Sequence, residues 1–191
     1  MKPHQTSMLV PPVSGDNVGG DDRCTPPEVI AALLGFWPQG IELDPCDNPY
    51  SIVPARRKID RVTDSLRAVW RALTVYLNPP FSNAGPFMEG AVAAAELGAE
   101  VVWLVRHDSS VAWWRTCVNP YAAALCLVDH RLRFRKGGED TGPADHATTI
   151  GLFLPPVITM TAQRRRARMA AFVRHFAPLG LVVKPMVGGA L

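Results

Sequence analysis

Short apolar runs alternate with helix-like segments along most of the chain, and this alternation constrains the fold more than any other feature of the sequence. Each run is hydrophobic at consecutive positions, which is typical of strands buried on both faces of a sheet. The sequence therefore predicts an α/β fold with a doubly wound, largely parallel sheet. The predicted strands are 41–44, 74–77, 100–106, 122–128, 148–154 and 181–184, and the predicted helices are 25–35, 64–72, 83–98, 109–117 and 162–176.

The length and composition favour a single folded domain. The chain has 191 residues, of which 48% are hydrophobic and 19% are charged, enough to bury one core. We predict a flexible N-terminal arm at 1–22, which is rich in Pro, Gly and Asp, and a folded domain at 23–191. The apolar runs are shorter than the ~20 residues of a membrane span. The N-terminus lacks the apolar region of a signal peptide, so we expect a cytoplasmic protein.

The four cysteines follow no metal-binding or disulfide pattern. Cys24, Cys46, Cys117 and Cys126 are far apart, form no C-x-x-C pair and have no histidine at metal-ligand spacing. We therefore predict reduced thiols, with neither a disulfide framework nor a metal site.

Basic residues are concentrated in three segments, although the net charge is only +3. The segments 56–71, 131–136 and 164–174 hold 15 of the 20 lysines and arginines, and the last two contain no acidic residue. So small a net charge does not identify a nucleic-acid partner. The distribution makes the acid-free segments candidates for contact with an anionic partner, while a solvated basic face is the alternative interpretation of the helix at 162–176.

Two predicted strands end on polar residues that should meet at one edge of the sheet. Asp44 follows a run ending at Leu43, and Asn78 follows a run ending at Leu77. Ligands of open α/β sheets bind outside the carboxyl ends of the strands. We therefore expect Asp44 and Asn78 to face one crevice, with Asp44 placed to bind a ribose or an amino group. The alternative is that Asp44 only caps the turn that follows it.

The Asn-Pro-Pro-Phe segment at 78–81 is suited to holding an amine on a flat ring. Its prolines fix φ and lack N–H groups, so they leave carbonyl acceptors beside the Asn78 amide. The Asn78 oxygen and the Pro79 carbonyl can each accept one N–H of an exocyclic amine, which would localise the lone pair on its nitrogen. Phe81 would stack on the ring, a contact that contributes ~1–3 kcal/mol per base. For an isolated segment of this kind, a turn that only ends the strand is the alternative.

Six segments in order resemble the phage-type Dam DNA N6-adenine methyltransferases. NPPFS after an apolar strand is similar to motif IV of the S-adenosylmethionine-dependent amino-methyltransferases. The six segments cover about residues 24–154 and are TPPEV at 25, LDPCDNP at 43, DSLRAVW at 64, YLNPPFS at 76, VVWLVRHDSSVAWW at 101 and HRLRF at 130. The chain departs from the family in having no Gly-rich loop after Asp44, histidine instead of glycine at position 130, and RHD at 106–108 instead of a Thr-containing turn.

The resemblance implies a Rossmann-like methyltransferase that transfers a methyl group from S-adenosylmethionine to the exocyclic amine of a flipped adenine in duplex DNA. It also implies a phage or prophage origin and action in a bacterial host cell, without a metal or a membrane; we assume a monomer. The implied catalytic residues are Asn78, Pro79 and Phe81, and the implied cofactor-binding residues are Thr25, Asp44 and Asp64.

The segment 130–146 is the candidate for contact with DNA. Alternation along RLRFR places the arginines on one face, and Leu132 and Phe134 on the other. We predict an edge strand that feeds a mobile Gly-containing loop, with its basic face turned to phosphate. A solvated edge that is protected from aggregation by its charges is the alternative. The predicted DNA-binding residues are Arg131, Arg133, Arg135 and Lys136.

Other residues and other functions have alternatives as well. Asp64 is equally suited to cap the predicted helix that follows it, and His107 and His130 are expected to be surface or packing residues. Core packing is predicted for Trp103, Trp113 and Trp114. The alternative functions are methylation of a cytosine amine, of RNA or of a glutamine side chain, and non-catalytic DNA binding by a phage protein of the same fold.

Overall fold

The structure, a computed structural model, describes residues 23–60, 65–136 and 139–185. The predicted N-terminal arm at 1–22 and Asp64 lie outside the described residues, and the side chain of Lys136 is not described either. Within the described ranges, no helix is both long enough and apolar enough to cross a membrane.

Seven strands form one mixed sheet, and two further strands form a separate ribbon. The strands are β1 (Ile41–Asp47), β2 (Ala55–Asp60), β3 (Thr74–Leu77), β4 (Glu100–Arg106), β5 (Ala122–Val128), β6 (Arg133–Lys136), β7 (Glu139–Pro143), β8 (Thr148–Phe153) and β9 (Gly180–Val183). The order across the sheet is β2-β1-β3-β4-β8-β5-β9, and β6 pairs with β7.

Most strands of the sheet run in one direction. β2, β1, β3 and β4 pair in parallel. β8 lies antiparallel between β4 and β5, so β5 points the same way as the first four, and β9 pairs antiparallel with β5. The prediction of a largely parallel sheet is confirmed, and the arrangement is compatible with a Rossmann-like fold.

Helices pack against both faces of the sheet. They are α1 (Pro27–Phe36), α2 (Ala84–Glu96), the single turn α3 (Asn119–Tyr121) and α4 (Ala162–Phe176). α1 and α4 share a core with one face, where the ring of Phe36 lies 5.9 Å from that of Phe172 and 6.0 Å from that of Phe176. α2 packs with Leu43 and Trp103 in a core on the other face. This double coverage explains why the strands are apolar at consecutive positions.

The prediction of a helix over 64–72 is wrong for the described part of that segment. Residues 65–73 form turns and loop. Trp70 is buried, donates its indole N–H to the Ser65 carbonyl and packs on Gly90 of α2. Because the Trp70 ring turns inward, the segment does not form a helix, and Leu66 and Val69 remain exposed.

Two features of the first strands differ from the sequence prediction. β1 continues past Asp44 to Asp47, with an irregular register between these two residues. β2 was not predicted because its sequence, ARRKID, is largely ionic. It lies at the edge of the sheet beside β1, and charged side chains on an edge oppose pairing with other chains.

Gly151 makes the space that Trp103 occupies. The two residues are opposite each other on β8 and β4, and a Cβ on Gly151 would lie 1.9 Å from Cζ2 of the fully buried Trp103 ring. We expect Gly151→Ala to lower the free energy of unfolding by about 3 kcal/mol, measured by urea denaturation. In a protein that already carries Trp103→Leu, Gly151→Ala should leave the free energy of unfolding nearly unchanged. Equal losses from Gly151→Ala with and without Trp103 would contradict this account.

Candidate active site

Asp44, Tyr76 and Asn78 lie on the same face of the sheet, toward the carboxyl ends of β1 and β3. Leu43 is opposite Val75 in these parallel strands, and both side chains point into the core beneath α2. Side chains alternate between faces along a strand, so the three polar residues point to the side of α1. Asn78 lies two positions beyond the level of Asp44, or roughly 7 Å along the strand direction.

The side-chain amide of Asn78 is held through its nitrogen. Nδ2 donates to the Arg23 carbonyl at 2.9 Å and to the Thr25 hydroxyl at 3.3 Å. These two acceptors fix the orientation of the amide, so Oδ1 points away from the chain that precedes α1. Asn78 is half-buried, and the following Pro79 is buried. The arrangement presents the amide oxygen, rather than the nitrogen, to a ligand.

Thr25 connects Asn78 to β3 instead of capping α1. The residue at the cap position of α1 is Pro26, without a side-chain hydrogen bond. The Thr25 hydroxyl lies 2.9 Å from the Tyr76 hydroxyl, and both residues are buried. Nearby Asp44 is one of the causes that raise the pKa of Tyr76, after burial. Thr25 therefore connects Asn78 to Tyr76, which lies beside Asp44 on the neighbouring strand.

The carboxyl group of Asp44 is buried, and burial disfavours its ionised form. Asp44 is 2% exposed. Burial raises the pKa of its carboxyl group to about 7, and the charge of Asp47 adds to the rise. The backbone N–H of Cys46 donates to Oδ1 at 2.9 Å, and this hydrogen bond and the charge of Lys58 oppose the rise. A ligand that carries a positive charge or a hydroxyl donor would stabilise the ionised form.

Phe81 lies in an aromatic cluster directly after the two prolines. Its ring centroid is 5.8 Å from that of Phe134 and 5.1 Å from that of His146, both nearly perpendicular to it. The guanidinium carbon of Arg23 is 6.0 Å from the Phe81 centroid and 5.8 Å from the Phe134 centroid. The residue that holds Asn78 through its carbonyl thus also contacts the ring expected to stack on a base.

The basic ribbon, defined as β6 and β7, is attached to the candidate site. The Cys24 N–H donates to the Arg135 carbonyl at 2.8 Å, and the Ala144 N–H donates to the Leu132 carbonyl at 2.9 Å. Leu132 and Phe134 are buried in the core shared with α1. The segment predicted as an edge strand is therefore half of a two-stranded ribbon, because it pairs with β7 and not with the main sheet.

The arginines of this segment point away from the core, as the alternation predicted. Arg131, Arg133 and Arg135 are exposed. Arg133 donates to Asp140 of β7 at 3.1 and 3.2 Å, an ion pair that solvent screens. The ribbon brings these side chains and the aromatic cluster to the same region as Asn78. Their role in DNA binding stays a prediction.

The arginine-rich helix α4 is attached to the end of the sheet opposite the candidate site. Arg168 donates to the buried carboxylate of Glu100, which also accepts from the Trp37 indole, and its guanidinium carbon lies 3.9 Å from the Phe36 centroid. Glu100 is the first residue of β4, at the opposite end of the parallel strands from Asn78. Arg168 therefore anchors α4 to the sheet.

Sequence reasoning missed three residues of the candidate site. The carbonyl of Arg23 accepts a hydrogen bond from Asn78, and the hydroxyl of Tyr76 is hydrogen-bonded to Thr25. His146 contacts Phe81. Tyr76 lies within the motif around Asn78 and reads as a buried strand residue. Arg23 and His146 carry no local signal, because their contacts join segments far apart in sequence.

No metal centre is formed by the part of the chain that the structure describes. Within residues 23–60, 65–136 and 139–185, no three His, Cys, Asp or Glu side chains are grouped so as to hold a metal ion. The four cysteines are all buried there.

Comparisons of the sequence with known proteins match one family. The sequence model of the family described as DNA N-6-adenine-methyltransferase (Dam) matches residues 16–169. This range includes Asn78, Phe81 and the basic ribbon. A DNA N-6-adenine-methyltransferase of Haemophilus phage HP1 is 27% identical over 117 residues, which cover 60% of this chain and 67% of the phage protein.

Proposed function

Because the chain belongs to the Dam family of DNA N-6-adenine methyltransferases, we propose that it transfers a methyl group from S-adenosylmethionine to the exocyclic amine of an adenine in DNA. The observation that carries this proposal is the orientation of Asn78. Its nitrogen is engaged by Arg23 and Thr25, which leaves its oxygen for an N–H group of the substrate. The carbonyl of Pro79 is the second acceptor for the amine.

The chain's own groups act by positioning and polarisation. S-adenosylmethionine supplies an electrophilic methyl group on a sulfonium, which leaves as a neutral thioether. Asn78 and Pro79 hold the amine so that its lone pair is localised on nitrogen and aligned with the methyl carbon, and a fixed orientation of this kind accounts for much of a rate enhancement. The transfer is a single in-line displacement and needs no nucleophile from the protein.

Asp44 and Thr25 fit the methyl donor. A buried carboxyl with a pKa raised to about 7 is destabilised when ionised, and the amino group or ribose hydroxyls of S-adenosylmethionine would relieve this. Thr25 offers a buried hydroxyl that is already oriented by Tyr76. Asp64 remains a prediction from the family resemblance. The sheet order and the helices on both faces are compatible with a Rossmann-like methyltransferase fold.

The target adenine has to leave the duplex to reach Asn78. Extrusion costs a few kcal/mol, which stacking on Phe81 and phosphate contacts from the basic ribbon offset. We propose that the enzyme acts on duplex DNA in the cytoplasm of a bacterial host.

Two other classes of function lead to different measurements. A methyltransferase for cytosine, RNA or glutamine would use the same clamp, and nucleoside or peptide analysis of the product separates these substrates. A non-catalytic DNA-binding protein of the same fold would bind DNA but no S-adenosylmethionine. Titration calorimetry with S-adenosylmethionine distinguishes that case: we expect saturable binding to the wild type, and no heat of binding would contradict the proposal.

The basic ribbon should carry the salt-dependent part of DNA affinity. Changing Arg133, Arg135 and Lys136 to Ala should raise the Kd for DNA and reduce the slope of log Kd against log salt by about 2–3, because each lost phosphate contact removes ~0.9. Binding of S-adenosylmethionine should not change. Fluorescence anisotropy at several salt concentrations measures both Kd and slope.

The matched control removes three exposed cations from α4: Arg164, Arg166 and Arg174. We expect this variant to keep the wild-type salt slope. An unchanged slope in the ribbon variant together with a reduced slope in the α4 variant would place the DNA on α4 and contradict the prediction.

A further inference from the structure

His146 carries a buried nitrogen that no contact in the fold explains. Its side chain is 8% exposed, and Nε2 is solvent-inaccessible and has no hydrogen-bond partner among the described residues. Leaving a buried polar atom without a partner costs about 1–3 kcal/mol. Such an atom beside a candidate active site points to a partner that arrives with the substrate.

The neighbouring carboxylate determines which nitrogen of His146 carries the hydrogen. Nδ1 is hydrogen-bonded to Oδ1 of Asp145, and the side chain of Asp145 is 84% exposed. This hydrogen bond lowers the pKa of Asp145, so the carboxylate is ionised and can only accept. Nδ1 therefore bears a hydrogen, and in the neutral form of the ring Nε2 is a lone-pair acceptor.

This acceptor lies at the ring on which the target base is expected to stack. The His146 centroid is 5.1 Å from that of Phe81, with the two planes at 90°, and 6.3 Å from that of Phe134. Phe81 is three residues after Asn78 and begins the short 3₁₀ helix Phe81–Asn83. An Nε2 without a hydrogen cannot donate to the face of Phe81, so this aromatic contact does not satisfy it.

The charges around His146 come from two segments. Asp145 adjoins it, and Arg23, which precedes α1, reaches Asp145 at 4.0 Å and lies over the Phe81 ring. The segments packed against it from the other side contribute the aromatic rings of Phe81 and Phe134. A positive charge formed on His146 would therefore be balanced first by Asp145.

We propose that Nε2 of His146 accepts the proton that the target amine releases when it is methylated. This inference rests on the proposed function and assigns a catalytic residue to it. The amine nitrogen forms a bond to the methyl carbon with its lone pair, and the carbon–sulfur bond breaks with its electrons going to sulfur. As this bond forms, one hydrogen of the nitrogen becomes acidic in the transition state, and the neutral amide acceptors Asn78 and Pro79 are too weakly basic to take it. His146 takes this proton, becomes an imidazolium paired with Asp145, and returns the proton to water when the product leaves.

The variant His146→Phe tests the proposal because it keeps an aromatic ring against Phe81 and Phe134 and removes both nitrogens. We expect its single-turnover rate of methyl transfer to fall by about 10²-fold, the usual size of a general-base contribution. The melting temperature should not decrease, because an unpartnered buried nitrogen is lost. The Kd values for S-adenosylmethionine and DNA should stay within about threefold of the wild type.

His130→Phe is the matched control. His130 also contacts its preceding aspartate, Asp129, through Nδ1 at 3.0 Å, but its side chain is 41% exposed and its Nε2 lies 3.6 Å from Glu28. This variant should keep the wild-type rate. A second variant, Asp145→Asn, changes an exposed side chain and preserves folding. This variant removes the carboxylate that balances a positive charge on His146, so its single-turnover rate should also fall.

A wild-type rate in His146→Phe would overturn the inference, as would a wild-type rate in Asp145→Asn. The failure of the proposed function looks different, because then the wild type itself would transfer no methyl group to DNA. A higher melting temperature together with full activity would show that His146 serves neither catalysis nor stability.

Discussion

Replacing Asn78 with alanine should reduce methyl transfer to DNA by at least about 10³-fold while leaving the affinity for S-adenosylmethionine nearly unchanged. We propose the amide oxygen as the acceptor for the substrate amine, because the nitrogen is held by the Arg23 carbonyl and the Thr25 hydroxyl. Loss of one acceptor leaves the amine free to stay conjugated with its ring and unaligned with the methyl group. Single-turnover kinetics with labelled methyl donor and calorimetry measure the two quantities.

Asn78→Asp separates orientation from the mere presence of an oxygen. An ionised aspartate would place a second oxygen where Nδ2 now donates to the Arg23 carbonyl. This hydrogen bond would then be lost, and with it the orientation of the side chain at position 78. We expect this variant to be nearly as inactive as Asn78→Ala. Asn83→Ala, at an exposed position of the following turn, is the control and should stay fully active. Activity within tenfold of the wild type in Asn78→Ala would mean that the clamp has been assigned to the wrong residue.

Replacing Asp44 with asparagine should stabilise the protein at pH 8 and weaken the binding of S-adenosylmethionine by at least about tenfold. The pKa of Asp44 is raised from 3.8 to about 7 by burial. Between about pH 4 and pH 7 the unfolded chain has lost this proton and the folded chain retains it, so stability falls as pH rises through that window and is constant above it. The free energy of unfolding lost across this window is at most on the order of 4 kcal/mol.

Asparagine keeps the acceptor for the Cys46 N–H and carries no charge, so the variant should not show this loss. Urea denaturation at pH 5 and pH 8 measures the difference. The control is Asp47→Asn, in the same strand but partly exposed and paired with Lys58 at 3.0 Å; it should change the free energy of unfolding by less than about 1 kcal/mol. An Asp44→Asn variant that is less stable at pH 8, or that binds S-adenosylmethionine normally, would contradict a cofactor role for this carboxyl group.

The elements that local pattern determines could be predicted from the sequence. The central strands are apolar at consecutive positions because helices cover both faces, and α4 begins and ends at the predicted residues Ala162 and Phe176. The two polar strand ends also follow from the pattern, since the carboxyl ends of parallel strands share one edge. Asp44 and Asn78 lie on one face because Leu43 is opposite Val75.

Features that depend on contacts distant in sequence could not be predicted. Nothing near Thr25 indicates that its hydroxyl binds Tyr76 and Asn78 rather than the end of α1. The segment after residue 64 has helical composition, but Trp70 turns it inward against Gly90. The sequence reads 131–135 as an edge strand, and only the fold reveals its pairing with β7 and its attachment to Cys24.

The most direct test of the central claim is nucleoside analysis of unmethylated DNA after incubation with the purified protein and S-adenosylmethionine that carries a labelled methyl group. Mixed genomic DNA serves as substrate, so that the preferred sequence need not be known. We predict labelled N6-methyldeoxyadenosine from the wild type and none from Asn78→Ala. Label in a cytosine derivative, or no label in DNA from a wild-type protein that binds both DNA and S-adenosylmethionine, would contradict the account.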